Sequence, residues 1–191
     1  ENFIMSELGL EGEKNSDILI TIDGRSGAGK GTLAEHISEF LDIEHYSAGD
    51  FFRNIASERG LTVGELSEKA DKETDLEVDE RTFQKGLNEN CVIESRISCH
   101  VMGDYSDLRI RLKADLDERS SRVAEREEIS DEEARSRIIK RDRDNKERYR
   151  DYYGIDMDDL TIYDLIIDNT ELSIEETNEL IEEALEVHFD V

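Results

Sequence analysis

The chain has 191 residues, 50 of them Asp or Glu against 24 Lys or Arg, and a formal net charge of −26. So acidic a surface excludes non-specific binding to nucleic acid or to an anionic membrane, and it repels itself unless salt screens it, which points to a salt-adapted cytoplasm. Periodic apolar segments from Ile18 to Val187 exclude a disordered chain, and no apolar run reaches the ~18 residues of a membrane span.

Residues 1–16 lack the basic start and apolar core of a signal peptide and read as a flexible tail, followed by one domain over 17–191. A β-branched run at 18–23 predicts the first strand. It stops at Gly24-Arg-Ser-Gly-Ala-Gly29-Lys30-Gly31-Thr32, and Leu33, Ile37, Phe40 and Leu41 then recur at helical spacing. Strand, glycine-rich loop and helix in that order form a phosphate cradle. Glycines let the backbone approach the anion, the helix start aims N–H groups at it, and Lys30 adds a point charge. The generic pattern has Ser or Thr directly after the lysine, whereas here Gly31 intervenes before Thr32.

Further strands are expected at 43–46, 91–94, 108–112 and 163–168. Thr62-x-x-Glu65, Ser130-x-x-Glu133 and Ser173-x-x-Glu176 read as capping boxes that open helices. The last helix carries Ile174, Thr177, Ile181, Ala184, Leu185 and His188 on one face. Alternating strands and helices give an α/β fold around a parallel sheet, with ligands beyond the carboxyl ends of the strands, where Asp23, Ser47 and Glu94 fall. Cys91 and Cys99 lack zinc-type pairing, and Cys91 opens a buried strand as a reduced core thiol. His36, His45, His100 and His188 are scattered without metal-ligand spacing. Eight basic residues crowd between Arg135 and Arg150, with Arg119, Arg122 and Arg126 as a second stripe upstream. Guanidinium groups at this density suit a lid over phosphates, and a solvated helix laced with ion pairs is the alternative.

The Gly-Lys-Gly-Thr loop resembles that of nucleoside monophosphate kinases, and the run from Ile22 to Leu33 is similar to the cytidylate kinases. Tyr46-Ser-Ala-Gly-Asp-Phe-Phe-Arg53, Val92-Ile-Glu-Ser-Arg96 and the stretch Tyr152–Asp168 resemble the archaeal-type cytidylate kinases in order and separation. Within that family the loop usually carries a proline where this chain has Arg25 or Ser26.

The resemblance implies a P-loop three-layer sandwich with a five-stranded parallel sheet. It implies a helical monophosphate-binding flap at about 50–90 and an arginine-rich lid at about 122–150, with its tip near Glu127–Ser130. It implies transfer of the γ-phosphoryl group of ATP, with Mg²⁺, to CMP or dCMP by a cytoplasmic monomer. The cradle for ATP would be Gly24, Arg25, Ser26, Gly27, Ala28, Gly29, Lys30, Gly31 and Thr32. The acceptor would be held by Ser47, Gly49, Arg53 and Arg96, and Mg²⁺ by Glu94 through water and by Thr32. The catalytic set would be Lys30 with Arg122, Arg126, Arg137, Arg141 and Arg143. Two readings stay open beside this one: an adenylate or other monophosphate kinase, and an assembly factor that hydrolyses ATP slowly.

Overall fold

The computed structural model describes residues 9–69 and 71–190. Five parallel strands, β1 (Leu19–Gly24), β2 (Glu44–Ser47), β3 (Cys91–Ser95), β4 (Leu108–Lys113) and β5 (Leu165–Asp168), form one sheet in the order β2-β3-β1-β4-β5. The helices are α1 (Lys30–Leu41), α2 (Ala48–Glu58), α3 (Val63–Lys69), α4 (Lys72–Asn88), α5 (Ser98–Met102), α6 (Leu116–Glu127), α7 (Asp131–Tyr153) and α8 (Ile174–Phe189).

Every residue of β1 is buried because helices cover both faces of the sheet. On one face Leu19, Ile93, Phe83, Met102 and Tyr153 pack together; on the other Ile20, Ile22, Leu33, Ile37, Ile110, Ile181 and Leu185 do. The register places Ile22 opposite Glu94 and Glu94 opposite Ser47. The carboxyl ends of three strands therefore share one edge. The connection from β2 to β3, helices α2 to α4, has its own small core of Phe51, Ile55, Leu66 and Val78. A hairpin of α6 and α7 closes on Val123, Ala124, Ala134 and Ile138. Among the described residues no helix is long and apolar enough to cross a membrane.

With no proline in the chain, helix ends rest on caps. Ser173 and Glu176 exchange both bonds of a capping box, as do Thr62 and Glu65. Ser130 accepts from the Glu133 amide, but the Glu133 carboxylate turns to Arg137, so that box is half made. A further box closes at Ser47 with Asp50, an aspartate where the searched pattern has glutamate or glutamine.

Three expectations need correction. The strand expected at 163–168 covers only Leu165–Asp168, because the Asp164 carboxylate grips Arg109 and Tyr163 donates its hydroxyl to Asp23. On α8 the buried stripe is Thr177, Ile181 and Leu185, while Ile174 is 59 % exposed and the His188 ring donates to the carbonyl of Asp107. Part of the expected flexible tail is tied down: the amides of Asn15 and Ser16 donate to the carbonyl of Leu87, Lys14 pairs with Asp107 and Leu10 packs on the core. Residues 1–8 lie outside the described residues.

Candidate active site

The cradle follows directly from β1. Gly27 and Gly29 have φ of 81° and 93°, the left-handed region that glycine enters without strain. A Cβ on Gly27 would also lie 2.7 Å from the carbonyl oxygen of Arg119. Arg119 is 4 % exposed and braces the loop from behind, donating to the carbonyl of Ser26 at 3.1 Å and to Asp142 at 2.8 Å. Asn169, just past β5, donates to the carbonyl of Ala28 at 3.1 Å. Below the loop, Asp23 is fully buried and accepts from Ser98 Oγ, the Cys99 amide and Tyr163. Burial alone would raise its pKa; neighbouring His100 and these bonds hold it below the usual carboxylate range. The loop is thus fixed before any anion arrives.

In front of the loop lies a cleft of about 890 Å³. Ser26, Gly27, Gly29, Lys30, Gly31 and Thr32 line one wall, and Ser47, Gly49, Arg53 and Arg96 line another. Arg96 donates to Ser26 Oγ at 3.0 Å, so it bridges the two walls. Arg53 is held by Asp50, which Ser47 also engages, so the α2 cap and the arginine form one unit. Arg122, Arg126 and Arg141 reach the cleft from the α6–α7 hairpin. Arg122 is anchored by donating to the side chain and carbonyl of Asn169 at 3.1 and 3.0 Å.

Several expected residues lie elsewhere. Gly24 sits at the end of β1, where a Cβ would meet the Leu112 carbonyl oxygen at 2.8 Å. Ala28 faces the core. Arg25 turns out to Asp158 at 2.7 Å. Arg137 is exposed and paired with Glu133 and Glu127, and Arg143 is exposed and paired with Asp144, so neither stands on the cleft wall. Sequence reasoning missed Asp75, Val78 and Asp79 on α4, Tyr149 on α7, Asn169 and Leu172 in the loop after β5, and Asn178 on α8, all of which line the cleft. In a chain this acidic nothing distinguishes two wall carboxylates from solvated ones.

The electrostatics are those of a site that attracts anions. Burial pushes Lys30 down to about 8, against the opposing pull of Glu94. Arg141 is also pushed down, first by burial and then by its neighbours Arg96, Arg126 and Arg137, although Glu127 opposes them. Phosphate oxygens bound among these cations would offset that penalty. Among the described residues no three or more His, Cys, Asp or Glu side chains gather as a metal site. A phosphate-bound Mg²⁺ needs only one or two protein oxygens, and Glu94 and Thr32 both line the cleft beside the cradle.

Asp79 is 7 % exposed and accepts a hydrogen bond from the Tyr153 hydroxyl at 2.6 Å. Burial raises it to about 7. An acid that stays protonated when folded makes the folded state the better proton binder. The stability it allows is full below about pH 4, falls as the pH rises to about 7 and is level beyond. At about 1.4 kcal/mol per pKa unit the loss is on the order of 4 kcal/mol. The denaturation midpoint of Asp79→Asn is therefore expected to gain on that of the wild type between about pH 5 and about pH 7. A constant gap over that range rules out a neutral Asp79.

A family model described as "Cytidylate kinase-like family" matches residues 19–171. A protein named Cytidylate kinase from Staphylothermus marinus is 39 % identical over 171 residues, covering 88 % of this chain and 97 % of its own. Its namesake from Natronomonas pharaonis is 38 % identical over 174 residues, with 90 % and 91 % covered. Among solved structures, shikimate kinase from Bacteroides thetaiotaomicron superposes with a TM-score of 0.63 at 20 % identity, covering 88 % of this chain and 98 % of that one. That likeness shows the fold alone. The family match takes in the cradle, Arg53, Arg96 and the α6–α7 hairpin, and the chain belongs to the cytidylate kinase-like family.

Proposed function

We propose that the protein transfers the γ-phosphoryl group of ATP to CMP or dCMP, giving CDP or dCDP. The observation that carries this reading is the placement of Arg53 and Arg96 in the same cleft as the cradle. One phosphate chain fills the cradle, so a second pair of guanidinium groups serves a second phosphate. The names of the relatives supply the base.

Phosphoryl transfer of this kind depends on positioning and charge neutralisation rather than on acid–base chemistry. The cradle amides and Lys30 hold the donor. Arg53 and Arg96 hold the acceptor phosphate for in-line attack. Arg122, Arg126 and Arg141 come from above and spread over the charge that shifts in transfer, and the hairpin that carries them keeps water from the transferring group. Mg²⁺, which Glu94 and Thr32 would hold, neutralises phosphate charge when bound.

Initial rates with ATP and each of CMP, dCMP, UMP and AMP test the reading, and the two cytidine nucleotides are expected to lead. Arg53→Ala is expected to raise the KM for CMP roughly 10- to 100-fold, the worth of a charge-assisted hydrogen bond. A preference for AMP, or an Arg53→Ala enzyme equal to the wild type, overturns the assignment. The second outcome would favour a slow ATP-hydrolysing module, which has no use for an acceptor arginine.

A further inference from the structure

The catalytic account leaves one wall of the cleft unused. Asp75, Val78 and Asp79 are three and four residues apart and so share one face of α4, and Tyr149 comes to the same cleft from α7. Among the described residues this wall carries no cation that lines the cleft. It is an apolar surface, from Val78 and the Tyr149 ring, with two carboxyl groups set into it.

The two acids are not simple structural ion pairs. Among the described residues Asp75 Oδ2 is buried without a hydrogen-bond partner. Arg148 Nε lies 3.3 Å away but is equally unpartnered, so the two charges are close without being aligned. Asp79 gives Oδ2 to the Tyr153 hydroxyl, and among the described residues its Oδ1 takes no hydrogen bond. Two acids four residues apart in a low-dielectric wall do not both ionise readily. Burial raises Asp75 above its ordinary value, but the Arg148 guanidinium beside it favours the charge there, whereas the partner of Asp79 is a neutral phenol. The wall thus offers a hydrogen-bond acceptor next to a donor.

This inference rests on the kinase reading and deepens it. We infer that Asp75 and Asp79 read the amino edge of the acceptor base: the Asp75 carboxylate accepts from the exocyclic amino group, and the Asp79 carboxyl O–H donates to the adjacent ring nitrogen. Cytosine presents that pair of groups at its amino nitrogen and N3. Uracil reverses both, with an oxygen in place of the amino group and an N–H in place of the bare nitrogen. It would set acceptor against acceptor and donor against donor on a wall that has lost its water. A site built to hydrogen-bond one pattern rejects the other far more strongly than an apolar pocket can. Adenine carries the same donor–acceptor pair as cytosine, so these two residues separate amino bases from oxo bases and leave ring size to the rest of the wall.

The test is the ratio of kcat/KM for CMP to that for UMP, measured with ATP in the wild type, Asp75→Asn and Asp79→Ala. The wild type is expected to favour CMP by roughly 100-fold or more. Each variant is expected to lower the ratio at least about tenfold, mainly through a higher KM for CMP, while the KM for ATP moves less than about twofold. Merely structural residues would move both substrates together. Should Asp79→Ala fail to fold, Asp75→Asn decides alone. A folded Asp75→Asn enzyme with the wild-type ratio overturns the inference and leaves the kinase standing. A wild type that uses CMP and UMP equally does the same. A wild type that phosphorylates no monophosphate removes the kinase reading and this inference with it.

Discussion

Lys30→Ala is expected to lower kcat/KM for ATP-dependent phosphorylation of CMP by about 10³-fold, within the range for loss of one preorganised donor to developing charge. The side chain is a strong candidate because its charge is unspent. Among the described residues its ammonium makes one hydrogen bond, to the Arg25 carbonyl at 3.3 Å, and burial has pushed its pKa to about 8 against the pull of Glu94. A cation held under those conditions gains more from an arriving phosphate than a solvated one does. The loop around it does not depend on it. Arg119 and Asn169 fix the backbone from behind, and both glycine turns are set by their own φ. The variant is therefore expected to melt near the wild-type temperature while losing turnover, read as ADP formation in a coupled assay. A loss below about tenfold would show that the cradle amides carry the donor alone.

The backbone part of the site is legible in the sequence, whereas side-chain partnerships are less so. Glycine spacing, the β-branched run and the helix that follows are local chemistry, and they place the cradle between β1 and α1. Ser47, Glu94 and Arg96 fall at or just past strand ends, where a parallel sheet puts its ligand, Arg53 follows on α2, and all four line the cleft. The arginine stripes show the limit. Arg119 and Arg122 are three residues apart on α6, yet one is buried as a brace for the loop and the other faces the cleft. Arg137 and Arg141 share a face of α7, yet Glu127 and Glu133 hold the first away. Helical period gives the face of a residue but not the carboxylate that competes for it. The missed wall on α4 has another cause. Thr74, Val78, Asp79, Thr82 and Phe83 are all buried, so its inner face mixes polar and apolar groups and hides the pattern by which buried faces are recognised. Asp79 stays there because Tyr153, 74 residues away, supplies its hydrogen bond.

Arg141→Ala is expected to have the other large effect, a fall in kcat of about 10³-fold with a smaller change in the KM of either substrate. In the free protein Arg141 carries a cost. Its neighbours are Arg96, Arg126 and Arg137, and desolvation and these charges push its pKa down. Interactions that help substrate and transition state equally lower KM without raising kcat. Relief of crowding among cations grows with the negative charge at their centre, and that charge is most spread over the transferring oxygens at mid-transfer. Arg141 should therefore act on kcat. Arg141→Lys is expected to recover only part of the loss, since an ammonium cannot bridge two phosphate oxygens in a planar fork. Arg150→Ala, on the same helix but solvent-facing beside Asp151, is the control and should lose less than about threefold. If Arg141→Ala instead raises KM and leaves kcat intact, the α6–α7 hairpin only gathers substrate, and transition-state stabilisation must rest on Arg122 and Arg126, whose single substitutions then become the decisive measurements.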